Sequence, residues 1–408
     1  MSVSHYPFPE KARTLTQLPK FPRLLWRVAA SGGPAVALPP NGARMEWTLD
    51  LVPDLLLWGA ASLAVAQVAQ VVGLTLWYLA FPALWLLTGG AWLLRASVKV
   101  STQGKAVLVT GCDTGIGHAL ALSLHEKGFR VFAGCLQAAA GGEGAEALRQ
   151  RASDRLHVLQ LDVTREEQVQ EALQQIIEIL PKDEVLWGVV NNAGVSGLGQ
   201  VEWVALEKYR EVAAVNLFGV LAVTKAALPL VRRARGRVVN ISSVTGCIGR
   251  GNMSPYTLTK YAVEGLSDCL REEMQAWGVG VSIVQPGNYS AGTEITTPDI
   301  VANQGARMWE TMDEVVRADY GEDFFKLVVG LMKKASTSGS PDLTPVLQAV
   351  TLALTQLFPR ARYRAVDCYY LVKVLCAVHL PEWLFDLVYQ GRPPSLRCRG
   401  RLLQGKPE

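Results

Sequence analysis

KAVLVTGCDTGIGHALALSLHEKGF, residues 105–129, opens on an apolar run from Ala106 to Val109, passes through Thr110-Gly111 and Gly115-Ile116-Gly117, and closes on an amphipathic segment. The run reads as a buried strand, the glycines as a tight turn and HALALSLHEKGF as a helix. Glycine lets the backbone approach a ligand closely, and a helix N-terminus offers free N–H groups and a partial positive charge. Strand, turn and helix in this order therefore make a cradle for a phosphate chain. Three glycines by themselves would be weak evidence; their place between a strand and a helix makes the reading strong.

Downstream the pattern repeats. Strands near 106–109, 130–134, 156–161, 187–190, 237–241 and 280–285 alternate with helices over 116–127, 143–152, 165–179, 206–230 and 255–276. Alternation of this kind predicts an α/β fold, a Rossmann-type doubly wound parallel sheet with helices on both faces. Ligands then bind at the C-terminal ends of the strands, where the Gly111 turn, Asn191, Ser243 and Pro286-Gly287 all fall.

SPYTLTK places Tyr256 and Lys260 four residues apart on one helix face, with Ser243 thirteen residues before the tyrosine. A phenol titrates near ~10, so it exchanges protons with an alcohol at neutral pH only beside a positive charge, which Lys260 supplies. The chain carries its own control, because Tyr369 and Lys373 repeat the spacing in an apolar stretch with no serine thirteen residues earlier. That second pair reads as helix packing. The first differs in its company, the strand-like RVVNISS and the distant glycine turn.

Taken in order, TGxxxGxG from Thr110, NNAG at Asn191–Gly194, Asn216 in VNLFG, Ser243, YxxxK and Pro286-Gly287 resemble the motif set of the short-chain dehydrogenase/reductase family from about Lys105 to Asn288. GFRVFAGCL, RRARGRVVNISS, SDCLREEM, VQPGN, EVVRADYG and HLPEWLFDLVY are closer still to the branch that oxidises D-beta-hydroxybutyrate in mitochondria. Membrane-bound hydroxysteroid and retinol dehydrogenases share much of the pattern. The resemblance implies hydride transfer between an alcohol carbon and a nicotinamide, with Tyr256 as acid or base, Ser243 holding the substrate oxygen and Lys260 lowering the phenol's pKa and bonding the nicotinamide ribose. It further implies that Asn216 holds Lys260 through a water. The cofactor set it implies is Thr110, Gly111, Asp113, Gly115, Ile116, Gly117, Asp162, Asn192, Ala193, Gly194, Tyr256, Lys260, Pro286 and Gly287.

Charge decides between the two nicotinamide cofactors. A 2′-phosphate needs Arg or Lys beside it, and neither Cys112-Asp113-Thr114 nor Gly134-Cys135-Leu136-Gln137 contains a base. NAD is expected, although the acid usual at that strand end is missing too. A metal mechanism is not expected, since the seven cysteines show no CxxC spacing and no HExxH occurs among five histidines. A net charge of +4 without a long basic run excludes nucleic acid as an expected partner. Asn240, Asn252 and Asn288 open N-x-S sequons beside the expected site, where a glycan would block chemistry.

Half of the residues are hydrophobic, more than a soluble enzyme needs, and the forty from Leu55 to Leu94 carry no charge. One helix of that length would reach about 60 Å, twice the ~30 Å hydrocarbon core, so a hairpin of two spans turning near Gly73 fits better. A single tilted span with Pro82 as a breaker stays open. The chain thus divides into a basic segment 1–44, a membrane region 45–98, a dinucleotide-binding core 99–290 and a substrate lid with C-terminal region 291–408. Residues 1–44 carry Lys11, Arg13, Lys20, Arg23, Arg27 and Arg44 against Glu10 alone, and read equally as a mitochondrial transit segment or a disordered tail.

Two substrate readings remain open, a small hydroxy acid and a lipophilic alcohol drawn from lipid. The first requires a cation near the carboxylate, and Arg250 is the nearest base before Tyr256. The mitochondrial inner membrane is the favoured compartment, with the endoplasmic reticulum as the alternative. Membrane lipid and a second copy of the chain, through the helices at 206–230 and 255–276, are expected partners. A noncatalytic dinucleotide-binding scaffold ranks last, because Tyr256 and Lys260 are both present.

Overall fold

The computed structural model describes residues 48–389 apart from 50, 75 and 152. The basic segment 1–44 and the chain beyond 389 lie outside the described residues. Seven parallel strands among them form one sheet: β1 (Lys105–Thr110), β2 (Arg130–Cys135), β3 (Leu156–Gln160), β4 (Val185–Asn191), β5 (Arg237–Ile241), β6 (Gly280–Pro286) and β7 (Arg362–Ala365), in the order β3-β2-β1-β4-β5-β6-β7. Strand order reverses at β1, whose neighbours are β2 and β4. Alternate residues of β1 serve opposite cores. Val107 and Val109 join Leu120, Leu124 and Phe129 on one face, while Ala106 and Leu108 join Val189, Val223 and Ala227 on the other. Burial on both faces is why the strands read as continuous apolar runs.

Two N-terminal helices, α1 (Leu51–Val71) and α2 (Trp77–Ser97), form the expected hairpin, with Gly73 at a φ of 74° in the turn. Both are long and apolar enough to cross a membrane. Pro82 sits inside α2 without ending it. The base of the hairpin is stitched to the chain just before β7. Val100 N–H donates to Thr355 O at 2.7 Å, Leu357 N–H to Val98 O at 2.9 Å, and Arg360 pairs with Asp54 at 3.0 Å.

Within the core lie α3 (Gly115–Glu126), α4 (Glu143–Gln150), α5 (Glu166–Ile179), α6 (Leu206–Ala213), α7 (Val220–Ala234) and α8 (Ser254–Gln275). The single helix expected over 206–230 is instead α6 and α7 joined by a π-helical turn, Ala214–Gly219, and it runs on to Ala234. The turn surrounds Asn216, whose side chain is tied to the backbone of Val195, and such π insertions are commonly found at functional sites. Leu206–Ala234 is also apolar enough for a span, yet Val223, Ala227 and Val231 are buried against the sheet.

After β6 come α9 (Pro298–Thr311), α10 (Glu314–Tyr320), α11 (Glu322–Ser336) and α12 (Thr344–Thr355), then β7, α13 (Cys368–His379) and α14 (Glu382–Tyr389). The alternation pattern foresaw neither α12 nor the four-residue β7. Helices α9 to α11 enclose a small core of their own, where Trp203 meets Tyr320, Phe324 and Phe325 at centroid distances of 5.2, 6.1 and 5.2 Å.

Trp187 of β4 ties α12 to the sheet: its ring is 1% exposed, its Nε1–H donates to Leu354 O at 2.9 Å, and the Arg237 guanidinium lies 4.8 Å from its ring centroid. Trp187→Ala should lower stability by about 3–5 kcal/mol through the cavity left behind. Thermal unfolding in detergent would read this as a lowered midpoint, with Trp187→Phe losing less.

Candidate active site

The glycine turn is built by contacts that admit no side chain. Gly111 has a φ of 70°, and a Cβ there would stand 2.8 Å from the Ala193 Cα. A Cβ on Gly117 would run into the Gly111 carbonyl and the Asn192 amide. Thr110 Oγ1 accepts from the N–H groups of Asn192 at 3.1 Å and Ala193 at 3.0 Å, while Asn192 Nδ2 donates to Thr110 O at 2.9 Å and Gly111 O at 3.1 Å. The ends of β1 and β4 are thereby held together at the point where strand order reverses. Thr114, the residue before α3, gives no side-chain cap, so the first N–H groups of that helix are left for a ligand. Ile116 packs behind the turn against the core.

Asp113 reaches from this turn to the exit of β2, where its carboxylate accepts from Leu136 N–H at 2.8 Å and Gln137 N–H at 2.9 Å. The strand end that carries no acid of its own is therefore met by one from the glycine turn, which spacing alone did not reveal. Asp162 accepts from Thr164 N–H at 2.9 Å and Thr164 Oγ1–H at 2.7 Å, and lies 3.5 Å from Arg165. Gly111, Asp113, Gly115, Ile116, Asp162, Asn192, Ala193, Gly194, Pro286 and Gly287 all line one cavity of about 780 Å³. Thr110 and Gly117 stand just behind it. A cradle with no room for side chains, uncapped helix amides and no phosphate-seeking base at β2 fit a dinucleotide with a free ribose.

Ser243, Tyr256 and Lys260 line the same cavity. Ser243 lies two residues past β5 and caps a short 3-10 turn, Val244–Gly246, by accepting from Thr245 N–H at 3.2 Å. Tyr256 lies in the first turn of α8. Burial pushes its phenol up to about 12, and a hydrogen bond with Ser243 pulls the other way. The expected lowering by Lys260 is not among the causes of this shift. The ammonium lies 5.4 Å from the tyrosine ring centroid and donates instead to Ile241 O at 2.8 Å. Burial brings Lys260 itself down to about 8, opposed by the charge of Glu264. Glu264 is one turn further along α8 and accepts from Gln285 Nε2–H and Arg362 Nε–H, each at 3.0 Å. Its distance of four residues from Lys260 was readable in the sequence; its guanidinium partner on β7 was not.

Asn216 stands outside the cavity, fully buried. Its Oδ1 accepts from Val195 N–H at 2.8 Å, and its Nδ2 donates to Val195 O at 3.0 Å and Thr259 Oγ1 at 3.2 Å. The side chain thus fixes the loop after NNAG and makes no direct bond to Lys260. Tyr369 and Lys373, the control pair, pack with Tyr389 at the surface and do not line the cavity. Of the three sequons, Asn240 is fully buried, donating to Ser267 Oγ at 2.8 Å.

The outer wall is built by the segment after Gly287. Ile295, Ile300, Val328, Leu331 and Met332 supply apolar surface, and Gln304 accepts from Leu198 N–H at 3.2 Å. Lys208, Arg250, Ser196, Thr245 and Tyr370 also line the cavity. Among these, composition and spacing had pointed only to Arg250.

A family profile described as short chain dehydrogenase matches residues 105–300. Mitochondrial D-beta-hydroxybutyrate dehydrogenase of Bos taurus is 48% identical over 290 residues, which cover 70% of this chain and 83% of that protein. The 17-beta-hydroxysteroid dehydrogenase type 6 of Bos taurus is 41% identical over 275 residues, 67% of this chain and 84% of its own. A crystal structure of a short-chain dehydrogenase from Streptomyces avermitilis superposes with a TM-score of 0.54 at 25% identity, over 70% of this chain and 98% of that one. The chain belongs to the short chain dehydrogenase family, and it is an NAD-dependent oxidoreductase of alcohols and ketones.

Because Gly117 has no room for a Cβ, Gly117→Ala should abolish NAD binding while leaving the domain folded. Loss of the protein-to-NADH fluorescence transfer, with an unchanged circular dichroism spectrum, is the expected result.

Proposed function

We propose that the protein oxidises a short-chain hydroxy acid, D-beta-hydroxybutyrate, to its keto acid, and runs the reverse reduction. The observation that carries the reading is the convergence of Tyr256, Ser243 and Lys260 in a cavity whose lining also includes the exposed base Arg250. The 48% identity to a D-beta-hydroxybutyrate dehydrogenase supports that substrate. NAD, held by the glycine turn, the α3 amides, Asp162 and Lys260, supplies the hydride acceptor when bound. Tyr256 takes the hydroxyl proton in oxidation and returns it to the carbonyl oxygen in reduction. Ser243, already bonded to the phenol, fixes the substrate oxygen and donates to the charge that grows there. Lys260 contributes its charge and Asn216 holds the Val195 loop beside it.

A second reading, oxidation of a hydroxysteroid or retinol, is favoured by the apolar outer wall of Ile295, Val328, Leu331 and Met332 and by the relative at 41% identity. The length and apolar composition of the hairpin α1–α2 support membrane lipid as a partner. The mitochondrial inner membrane is the proposed compartment, and the endoplasmic reticulum goes with the second reading. Self-association is proposed through exposed Phe218, Leu258 and Tyr261 on α6–α7 and α8.

NADH formation by the detergent-solubilised protein with D-beta-hydroxybutyrate, a hydroxysteroid and retinol side by side tests the two readings. Turnover confined to the lipid alcohols would move the protein to the second. Tyr256→Phe should cost about 10²–10⁴ in kcat with NAD binding intact.

Lys260 acts through its charge, so activity should fall as pH rises through its pKa of about 8. Glu264 holds that value up, so Glu264→Gln should move the alkaline limb of the kcat profile to lower pH. An unmoved limb would separate Glu264 from the chemistry.

A further inference from the structure

Two hydroxyls in the cavity have no partner. Ser196 is 5% exposed and Thr245 6% exposed, and neither Oγ of Ser196 nor Oγ1 of Thr245 makes a hydrogen bond among the described residues. Both side chains line the cavity that holds Tyr256 and Ser243. A buried hydroxyl without a partner costs free energy, so its persistence beside a reaction centre points to a ligand group that completes it.

The two residues come from different loops, and those loops are locked together. Ser196 follows NNAG on the loop that Asn216 fixes, and Thr245 sits in the 3-10 turn two residues after Ser243. Gly199 N–H donates to Asn252 O at 2.8 Å, and Gly199 forms a parallel bridge with Met253. Asn252 holds a φ of 65°, a left-handed conformation that costs a non-glycine residue free energy and so marks an over-determined loop. That loop carries Arg250 into the cavity lining.

The charges in the lining are not evenly spread. Asp113 and Asp162 serve the cofactor end, where their carboxylates are taken by backbone N–H groups and Thr164. Glu294 follows Thr293, whose Cβ stands 3.5 Å from the Cβ position of Gly115, so it borders the glycine turn. Lys208 is neutralised by Glu211 at 3.0 Å. Lys260, held at Ile241 O, and Arg250 are the bases of the lining without an ion pair among the described residues, and Arg250 is the one outside the Tyr256 helix.

We propose that Ser196, Thr245 and Arg250 form a carboxylate subsite next to the Tyr256–Ser243 pair, and that it selects substrates whose carboxylate lies one methylene from the carbinol carbon. The two hydroxyls donate to the carboxylate oxygens and the guanidinium neutralises them. The inference rests on the hydroxy acid reading of the site and adds the residues that enforce it. A neutral lipophilic alcohol would leave both hydroxyls unpartnered, which disfavours it relative to the acid.

The test compares kcat/KM for D-beta-hydroxybutyrate and for 2-butanol, a neutral secondary alcohol of the same carbon count, using full-length protein in lipid vesicles. Arg250→Gln should lower the acid-to-alcohol selectivity ratio about tenfold or more, the worth of a charge-assisted hydrogen bond, mainly through KM for the acid. Arg250→Lys should restore part of it. Thr245→Val and Ser196→Ala should each lower the ratio several-fold, with the KM for NAD unchanged. Equal losses on both substrates, or an unchanged ratio, would overturn the subsite while wild-type turnover of the hydroxy acid kept the broader reading standing. Wild-type protein that oxidised 2-butanol or a lipid alcohol but not the hydroxy acid would overturn both.

Discussion

The Thr110 hydroxyl, accepting two backbone N–H groups from the start of the NNAG turn, is the contact on which the site depends. It joins β1 to β4 just where the strand order reverses, the one place in a doubly wound sheet where adjacent connections run to opposite faces and leave a crevice. Asn192 closes the bond in the other direction through both carbonyls of Thr110-Gly111. With the two strand ends zipped, Gly111 is pressed against Ala193 and Gly117 against Gly111. The glycines follow from this closeness as much as from the needs of a phosphate. The cavity holding Tyr256 and Ser243 opens directly beside the zip, so cofactor cradle and chemistry share one rigid frame.

The electrostatics of that frame are arranged in two tiers. Tyr256 and Lys260, both deprived of water, are pushed toward their neutral forms, the phenol up to about 12 and the ammonium down to about 8. Behind them the Glu264 carboxyl group accepts from Gln285 and Arg362, and Arg362 in turn grips Asp268 at 2.7 Å. A carboxylate locked by a guanidinium on a neighbouring strand cannot swing to pair directly with Lys260. It therefore acts on the lysine through space, keeping it charged without neutralising it. This makes β7, a short edge strand, part of the electrostatic support of the site.

The legible part of this protein was local. Apolar runs and amphipathic segments gave β1 to β6 and their helices because strands buried on both faces and helices packed on one leave plain periodicities. Ser243 just past β5 and Tyr256 and Lys260 in the first two turns of α8 fall together because the pattern located both elements. What escaped depends on partners far apart in sequence. Arg362 meets Glu264 across 98 residues, and Asp113 finds the exit of β2 only because the sheet brings the two together. The four residues RYRA of β7 are too short to carry a period, and the helix α12 before them is apolar nearly all round. The π turn at Asn216 was hidden for another reason: helix propensity continues through AVNLFG, and only the bonds to Val195 widen it.

The hairpin and the cavity lie at opposite ends of the sheet. Val98 to Val100 pair with Thr355 to Leu357 ahead of β7, and Lys105 begins β1 five residues later; the cradle occupies the other end of β1, at Thr110 and Gly111. Six residues at ~3.3 Å each put about 20 Å of sheet between the two. Asp54 and Arg360, joined at 3.0 Å, tie the first helix to the same end that carries the second. With the hairpin in a bilayer, as proposed, strain from the lipid would reach the domain where the strands begin, and the interior of the sheet, close-packed on both faces, separates that end from the strand ends that hold Ser243 and the glycine turn. An anchor joined at this edge would hold the enzyme to a membrane without drawing the reacting groups into the mechanical path.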